Sequence, residues 1–172
     1  METTAKLQRP TFDHELVTKL AITVADILQK AKLKYFDHEQ CMEDSKEILD
    51  YHWSDDGYKI AKELDEKGYE MNSSLVEELD CVSNEGDKLL KEKVREWVKQ
   101  NDIKLDLSVG TKVKLDVWTK NNTDGEIVNL RPETAQYIVW TPECLTPKEN
   151  GGGWVINFEK IKSVIQPETT QA

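Results

Sequence analysis

The sequence predicts an α+β protein, an acidic N-terminal bundle of four to five helices followed by a small five-stranded antiparallel β-barrel. Three observations carry this expectation. Apolar residues recur at helical spacing through the first hundred residues, with capping residues between the runs. After Ile103 the spacing changes to the two-residue alternation of strands, broken by turn residues. The charge changes with it: residues 1–104 hold 16 basic and 24 acidic side chains, residues 105–172 seven and nine. The expected organisation is a flexible leader (1–10), an acidic helical domain (11–104), a small barrel domain (105–165) and a flexible tail (166–172).

Each element has its own signal. Phe12, Leu16, Leu20, Val24, Ile27 and Ala31 fall on one helical face, which predicts a first helix from about 12 to 34. Asp37 with Gln40 resembles a capping box and opens a second helix toward Tyr51. Ser54, followed by Asp55 and Asp56, predicts the start of a third, and Gly68 its end. Ser74 with Glu77 predicts the cap of a fourth, and Asn84 with Asp87 the start of a fifth that buries Leu90, Val94 and Trp97. In the C-terminal part, Val113, Leu115 and Val117 alternate with polar residues. Turn residues at 121–125 precede a strand through Ile127 and Leu130, and a turn at Arg131-Pro132-Glu133 precedes a β-prone run from Ala135 to Thr141. A long loop, 142–153, leads to Trp154–Phe158 and a closing strand, 161–165.

Gly110-Thr111-Lys112-Val113-Lys114-Leu115, Asp124-Gly125-Glu126-Ile127-Val128 and Tyr137-Ile138-Val139-Trp140 together resemble the small five-stranded barrels of the Tudor and KOW kind. Asn157-Phe158-Glu159-Lys160-Ile161 is similar to the short helical turn before the last strand of such barrels. The resemblance covers about 55 residues, roughly 109–165. It implies a barrel fold, and ligands that range from nucleic acid to peptides and methylated residues. Small size, acidity and the lack of a catalytic motif are similar in style to small bacteriophage proteins that disable host defence or transcription.

The strongest functional signal is charge. Seventeen acidic residues lie between Asp37 and Asp87 against four basic ones (Lys46, Lys59, Lys62 and Lys67), a net −13 within a chain of net −10. Such a surface repels nucleic acid and membranes and attracts basic protein surfaces. Glu39, Glu43, Glu47 and Asp50 are spaced to line one stripe of the second helix, which Glu63, Glu66 and Glu70 are expected to continue on the third. Four helical residues advance about 6 Å, comparable to phosphate spacing along a nucleic-acid strand. A DNA mimic that occupies a nucleic-acid-binding groove is therefore one reading, and a solvated face that keeps the module soluble is the other.

Aromatic residues supply the remaining candidates. Tyr51, Trp53 and Trp118 are expected as exposed anchors at an interface. In the barrel, Tyr137 and Val139 must lie on the face opposite Ile138 and Trp140, so one pair leaves the core. These aromatics either form an exposed groove or pack the barrel against the helices.

Other chemistry finds little support. His38-x-x-Cys41 is a single loose pair, where structural zinc needs two clusters, so no metal and no cofactor is expected. Asn150-Gly151-Gly152-Gly153 lacks the Gly-Lys-Ser/Thr of a phosphate loop, and no hydrolase or metalloprotease motif occurs, so no enzyme is expected. Cys41, Cys81 and Cys144 are odd in number and widely spaced, as for free thiols in a reducing compartment. The polar leader has no signal-peptide core, and no apolar run approaches the ~20 residues of a membrane span, so the expected location is cytoplasmic, with no membrane partner.

The function expected from these residues is non-catalytic binding, in which the acidic helical face occupies a basic surface on a host protein such as a restriction, CRISPR or transcription component. The alternative is a nucleic-acid or peptide adaptor that acts through the barrel. Direct nucleic-acid binding is not expected, because the barrel's basic residues do not outnumber its acidic ones.

Overall fold

A computed structural model describes residues 7–33, 36–116 and 124–165. Most of the expected leader (1–6), the tail (166–172) and Trp118 lie outside the described residues. The chain is α+β and divides into two compact units, residues 1–94 and 95–172.

The first unit is helical. α1 (His14–Lys30) starts where the Asp13 carboxylate accepts the Leu16 amide hydrogen. It buries Leu16, Val17, Leu20, Ala21, Val24, Ala25, Ile27 and Leu28. It is shorter than expected, because Phe12 precedes the cap and Lys32 turns left-handed (φ 53°). α2 (His38–His52) has the expected cap: Asp37 accepts from the Gln40 amide at 3.0 Å. The reciprocal half of a capping box is absent, since the Gln40 side chain donates forward to Asp44 at 3.1 Å.

The next three helices begin at residues other than those expected. α3 (Gly57–Glu66) is capped by Asp56, which accepts from the Lys59 amide, and not by Ser54. α4 (Ser73–Leu79) is capped by Asn72, which accepts from Leu75, and not by Ser74. α5 (Cys81–Gln100) begins three residues before Asn84. In each case several capping residues are adjacent, and tertiary packing selects among them. The end of α3 follows the expectation: Gly68 adopts φ +96°, Tyr69 N–H reaches Leu64 O and Gly68 N–H reaches Asp65 O, a Schellman motif.

These helices share one core. Leu20, Val24, Leu28, Cys41, Leu49, Leu64, Leu79 and Val82 are fully buried in it. α3 meets the α4–α5 junction at very short range, where Asp80 accepts the Gly57 amide hydrogen at 2.8 Å. A Cβ on Gly57 would stand 2.4 Å from Val76 O and 2.5 Å from Asp80 N. A side chain would force the backbones apart.

The second unit holds β1 (Lys112–Leu115), β2 (Asp124–Arg131), β3 (Gln136–Trp140), β4 (Trp154–Asn157) and β5 (Ile161–Val164). All pairings are antiparallel, in the order β4-β3-β2-β1-β5. The expected closed barrel is corrected to an open sheet: β4 and β5 are its two edges and do not pair. The physical reason is that strand alternation suits a closed and an open sheet equally, and closure requires a nonlocal pairing that the local pattern does not specify. Phe158–Lys160 winds as a 3-10 turn between β4 and β5. Register shifts occur at Ile127/Asn129 and Lys114/Leu115, the kind of irregularity that bends a sheet.

The sheet core contains Val113, Leu115, Ile127, Tyr137, Val139 and Ile156. Tyr137 hydroxyl satisfies its polar end by donating to Asp106 and accepting from the Leu107 amide, each at 3.3 Å. The unit boundary falls at Val94/Arg95, inside α5, ten residues before the expected 104/105. The last turns of α5 belong with the sheet, where Trp97 lies against Phe158 with ring centroids 6.4 Å apart.

Gly57→Ala is expected to lower stability by about 1–3 kcal/mol through overpacking. Gly68→Ala, whose Cβ meets nothing within 4 Å, carries only the cost of a left-handed residue, about 1 kcal/mol. Urea unfolding of the two variants checks the ordering.

Candidate protein-binding face

α2 separates its buried and acidic residues cleanly. At about 100° per residue, Glu39, Glu43, Glu47 and Asp50 fall within an arc of about 80°. All four are exposed, while Cys41, Ser45, Ile48 and Leu49 on the opposite side are buried. The stripe is therefore real as geometry. Its charges are not equivalent, because Lys46 pairs with Glu43 at 2.6 Å and Lys67 with Glu47 at 2.5 Å. Among the described residues, Glu39 and Asp50 have no cation within ion-pair distance.

The expected continuation on α3 is weaker. Glu63 is half-buried, and Glu66 is exposed with Lys62 3.7 Å away. Lys59 bonds Asp55 on the same outer side, so α3 presents mixed charge. Glu70 is not on α3 at all: the helix ends at Glu66, and Glu70 lies beyond the Gly68 turn in the connection to α4. Sequence spacing alone carried the stripe past a left-handed glycine that the same sequence marks as a stop.

The aromatic candidates divide. Tyr51, at the C-terminal end of α2, is 82% exposed. Trp53 is corrected from an exposed anchor to a packing residue. Its ring stacks on Phe12 at 4.0 Å and 7°, and Gly86 of α5 leaves the space, since a Cβ there would lie 3.1 Å from Trp53. Tyr58, 66% exposed beside Gly57, was missed. Its signal is local: Ile60, Ala61 and Leu64 define the buried face of α3, and position 58 falls outside it. In the sheet, Tyr137 and Val139 are the buried pair and Ile138 and Trp140 the outer one. Trp140 is half-buried, and its indole N–H donates to Thr146 O. Trp154, half-exposed on β4, donates to Thr141 Oγ1.

His38 and Cys41 turn to different partners. His38 Nε2 lies 3.1 Å from Asp26, whereas Cys41 is fully buried with Sγ 3.9 Å from Ser45 Oγ. Burial pushes the Cys41 thiol up from its ordinary pKa. Among the described residues no group of three His, Cys, Asp or Glu side chains could hold a metal ion, and no helix is long and apolar enough to cross a membrane.

Beside the stripe, α2 and the α3–α4 connection enclose a cleft of about 330 Å³. Tyr69 donates its hydroxyl to Asp44 at 2.7 Å. Burial, then the Asp44 bond, pushes the Tyr69 phenol well above its ordinary pKa of 10.0. The bond to Glu47 similarly raises Lys67. At the α2–α3 corner, His52 and then Lys59 hold Asp55 below the usual carboxylate range.

No family model, curated protein or solved structure matches the chain.

Two measurements check the site's construction. Trp53→Ala is expected to cost about 3 kcal/mol, near the low end for truncating a packed aromatic. Tyr51→Ala, being exposed, should change stability by no more than about 0.5 kcal/mol. The second concerns pH. A phenol raised in the folded state ionises first in the unfolded chain, so its contribution is present below pH 10 and is lost as pH rises beyond it. Tyr69→Phe should therefore show a shallower stability loss than wild type between about pH 10 and 11, measured by urea midpoints.

Proposed function

We propose that the helical unit is a non-catalytic protein-binding module whose α2 face occupies a basic, nucleic-acid-binding surface of a partner protein. The observation that carries this reading is the exposed stripe of Glu39, Glu43, Glu47 and Asp50, set opposite the buried side of α2 and ending beside the exposed Tyr51. Within the stripe, Glu39 and Asp50 supply the least compensated charge. Lys46 and Lys67 hold Glu43 and Glu47 in place, and Lys67 also ties the α3 end to the stripe. In this mechanism the carboxylates provide orientation and a salt-sensitive on-rate, and Tyr51 and Tyr58 provide desolvated area. The partner class is a nucleic-acid-handling protein such as a restriction, CRISPR or transcription component, and the module acts as an inhibitor of the kind bacteriophages direct against such hosts.

Reversing Glu39 and Asp50 to Lys is expected to weaken partner capture from bacterial lysate about tenfold or more, because both groups lie on the solvated side of α2 and steer association. The wild-type complex should dissociate between low and moderate salt, with the captured protein identified by mass spectrometry. Equal capture of the same protein by the reversed variant would overturn the acidic-face reading. Recovery of nucleic acid, or of a salt-resistant partner lost on Trp140→Ala, would move the function to the sheet.

A further inference from the structure

The cleft beside the stripe has features that a general negative field does not require. Its lining mixes apolar and charged side chains: Leu33, Phe36 and Tyr69, which also pack on the helical core, contribute the apolar part. Asp37, Asp44 and Glu70 supply carboxylates around it, against one cation among the described residues, Lys67. Lys67 is drawn to Glu47, which leaves it committed to the stripe. The carboxylates differ in their freedom. Asp44 is fixed by Gln40 on one oxygen and Tyr69 on the other. Asp37 spends one oxygen on the Gln40 amide. Glu70 has no ion-pair or hydrogen-bond partner among the described residues. A long cationic side chain would lay its methylenes on the apolar part and its head among these acceptors. Aromatic faces together with carboxylates favour a planar guanidinium over an ammonium, because the guanidinium stacks on rings and forks onto two acceptors at once.

We propose that this cleft receives an arginine side chain from a basic segment of the partner. The proposal rests on the protein-binding reading above and adds a residue preference to it. A diffuse acidic face attracts arginine and lysine alike, whereas the cleft discriminates between them.

The test is an amide-resolved NMR titration of the full chain with hexa-arginine and with hexa-lysine peptide. Hexa-arginine should bind about two- to fivefold tighter, the margin expected from an exposed cation–π contact. Its largest shifts should fall on Gln40, Gly68 and Tyr69. In a double variant, Asp37→Asn with Glu70→Gln, the preference should disappear. Asn preserves the helix cap at position 37, so loss of folding is not the expected cause. Equal binding of both peptides, with shifts confined to the Glu39–Asp50 stripe, would overturn the cleft and leave the acidic face standing. A preference that survives in the double variant would overturn the cleft as well. Failure of both peptides to bind at low salt would overturn both proposals.

Discussion

The contact on which the helical unit depends is the hydrogen bond from the Gly57 amide to Asp80. It joins the first turn of α3 to the single residue between α4 and α5, at a separation that only a glycine permits. From that fixed start α3 runs ten residues to Glu66, and the Schellman turn at Gly68 then brings Lys67 and Tyr69 back to α2. The ion pair with Glu47 and the hydrogen bond to Asp44 form at the far end of the same helix. The acidic stripe and the cleft beside it are one structural arrangement, held at two points in the same connection.

The large negative charge has three distinct roles in this arrangement. Asp13, Asp37 and Asp56 cap helices, where carboxylates satisfy free amides and complement the helix dipole. Asp44, Asp55 and Asp80 bond to particular tertiary or neighbouring partners. Glu39, Asp50 and Glu70 do neither. Exposed ion pairs such as Glu43–Lys46 contribute at most about 1 kcal/mol to stability, so their main effect here is to hold side-chain positions. The charge free of capping and bonding is therefore smaller than the total, and Glu39 and Asp50 place part of it on one side of α2.

Much of the fold was legible in the sequence because both units obey simple periodicities. The alternation through Tyr137-Ile138-Val139-Trp140 required one pair to be buried, and the sheet buries Tyr137 and Val139. The spacing of Leu16, Leu20 and Val24 required a helix, and α1 buries all three. Helix starts were less legible, since Ser54, Asp55 and Asp56, or Asn72, Ser73 and Ser74, offer nearly equivalent caps. The open sheet was invisible for a similar reason: five alternating strands suit either a barrel or an open sheet, and strand pairing is nonlocal.

By itself, then, the sequence determined the α+β class, the order of helices before strands, the cap at Asp37, the stop at Gly68 and the spacing of the carboxylates along α2. These follow from interactions among residues a few positions apart, whose geometry the backbone dictates. Tertiary structure alone decided that Trp53 stacks on Phe12, that Lys67 restrains Glu47, and that Tyr69 closes one side of a cleft with Asp44. Those pairs are separated by 41, 20 and 25 positions along the chain. No local periodicity relates residues so far apart, and packing of the shared core is what brings them into contact.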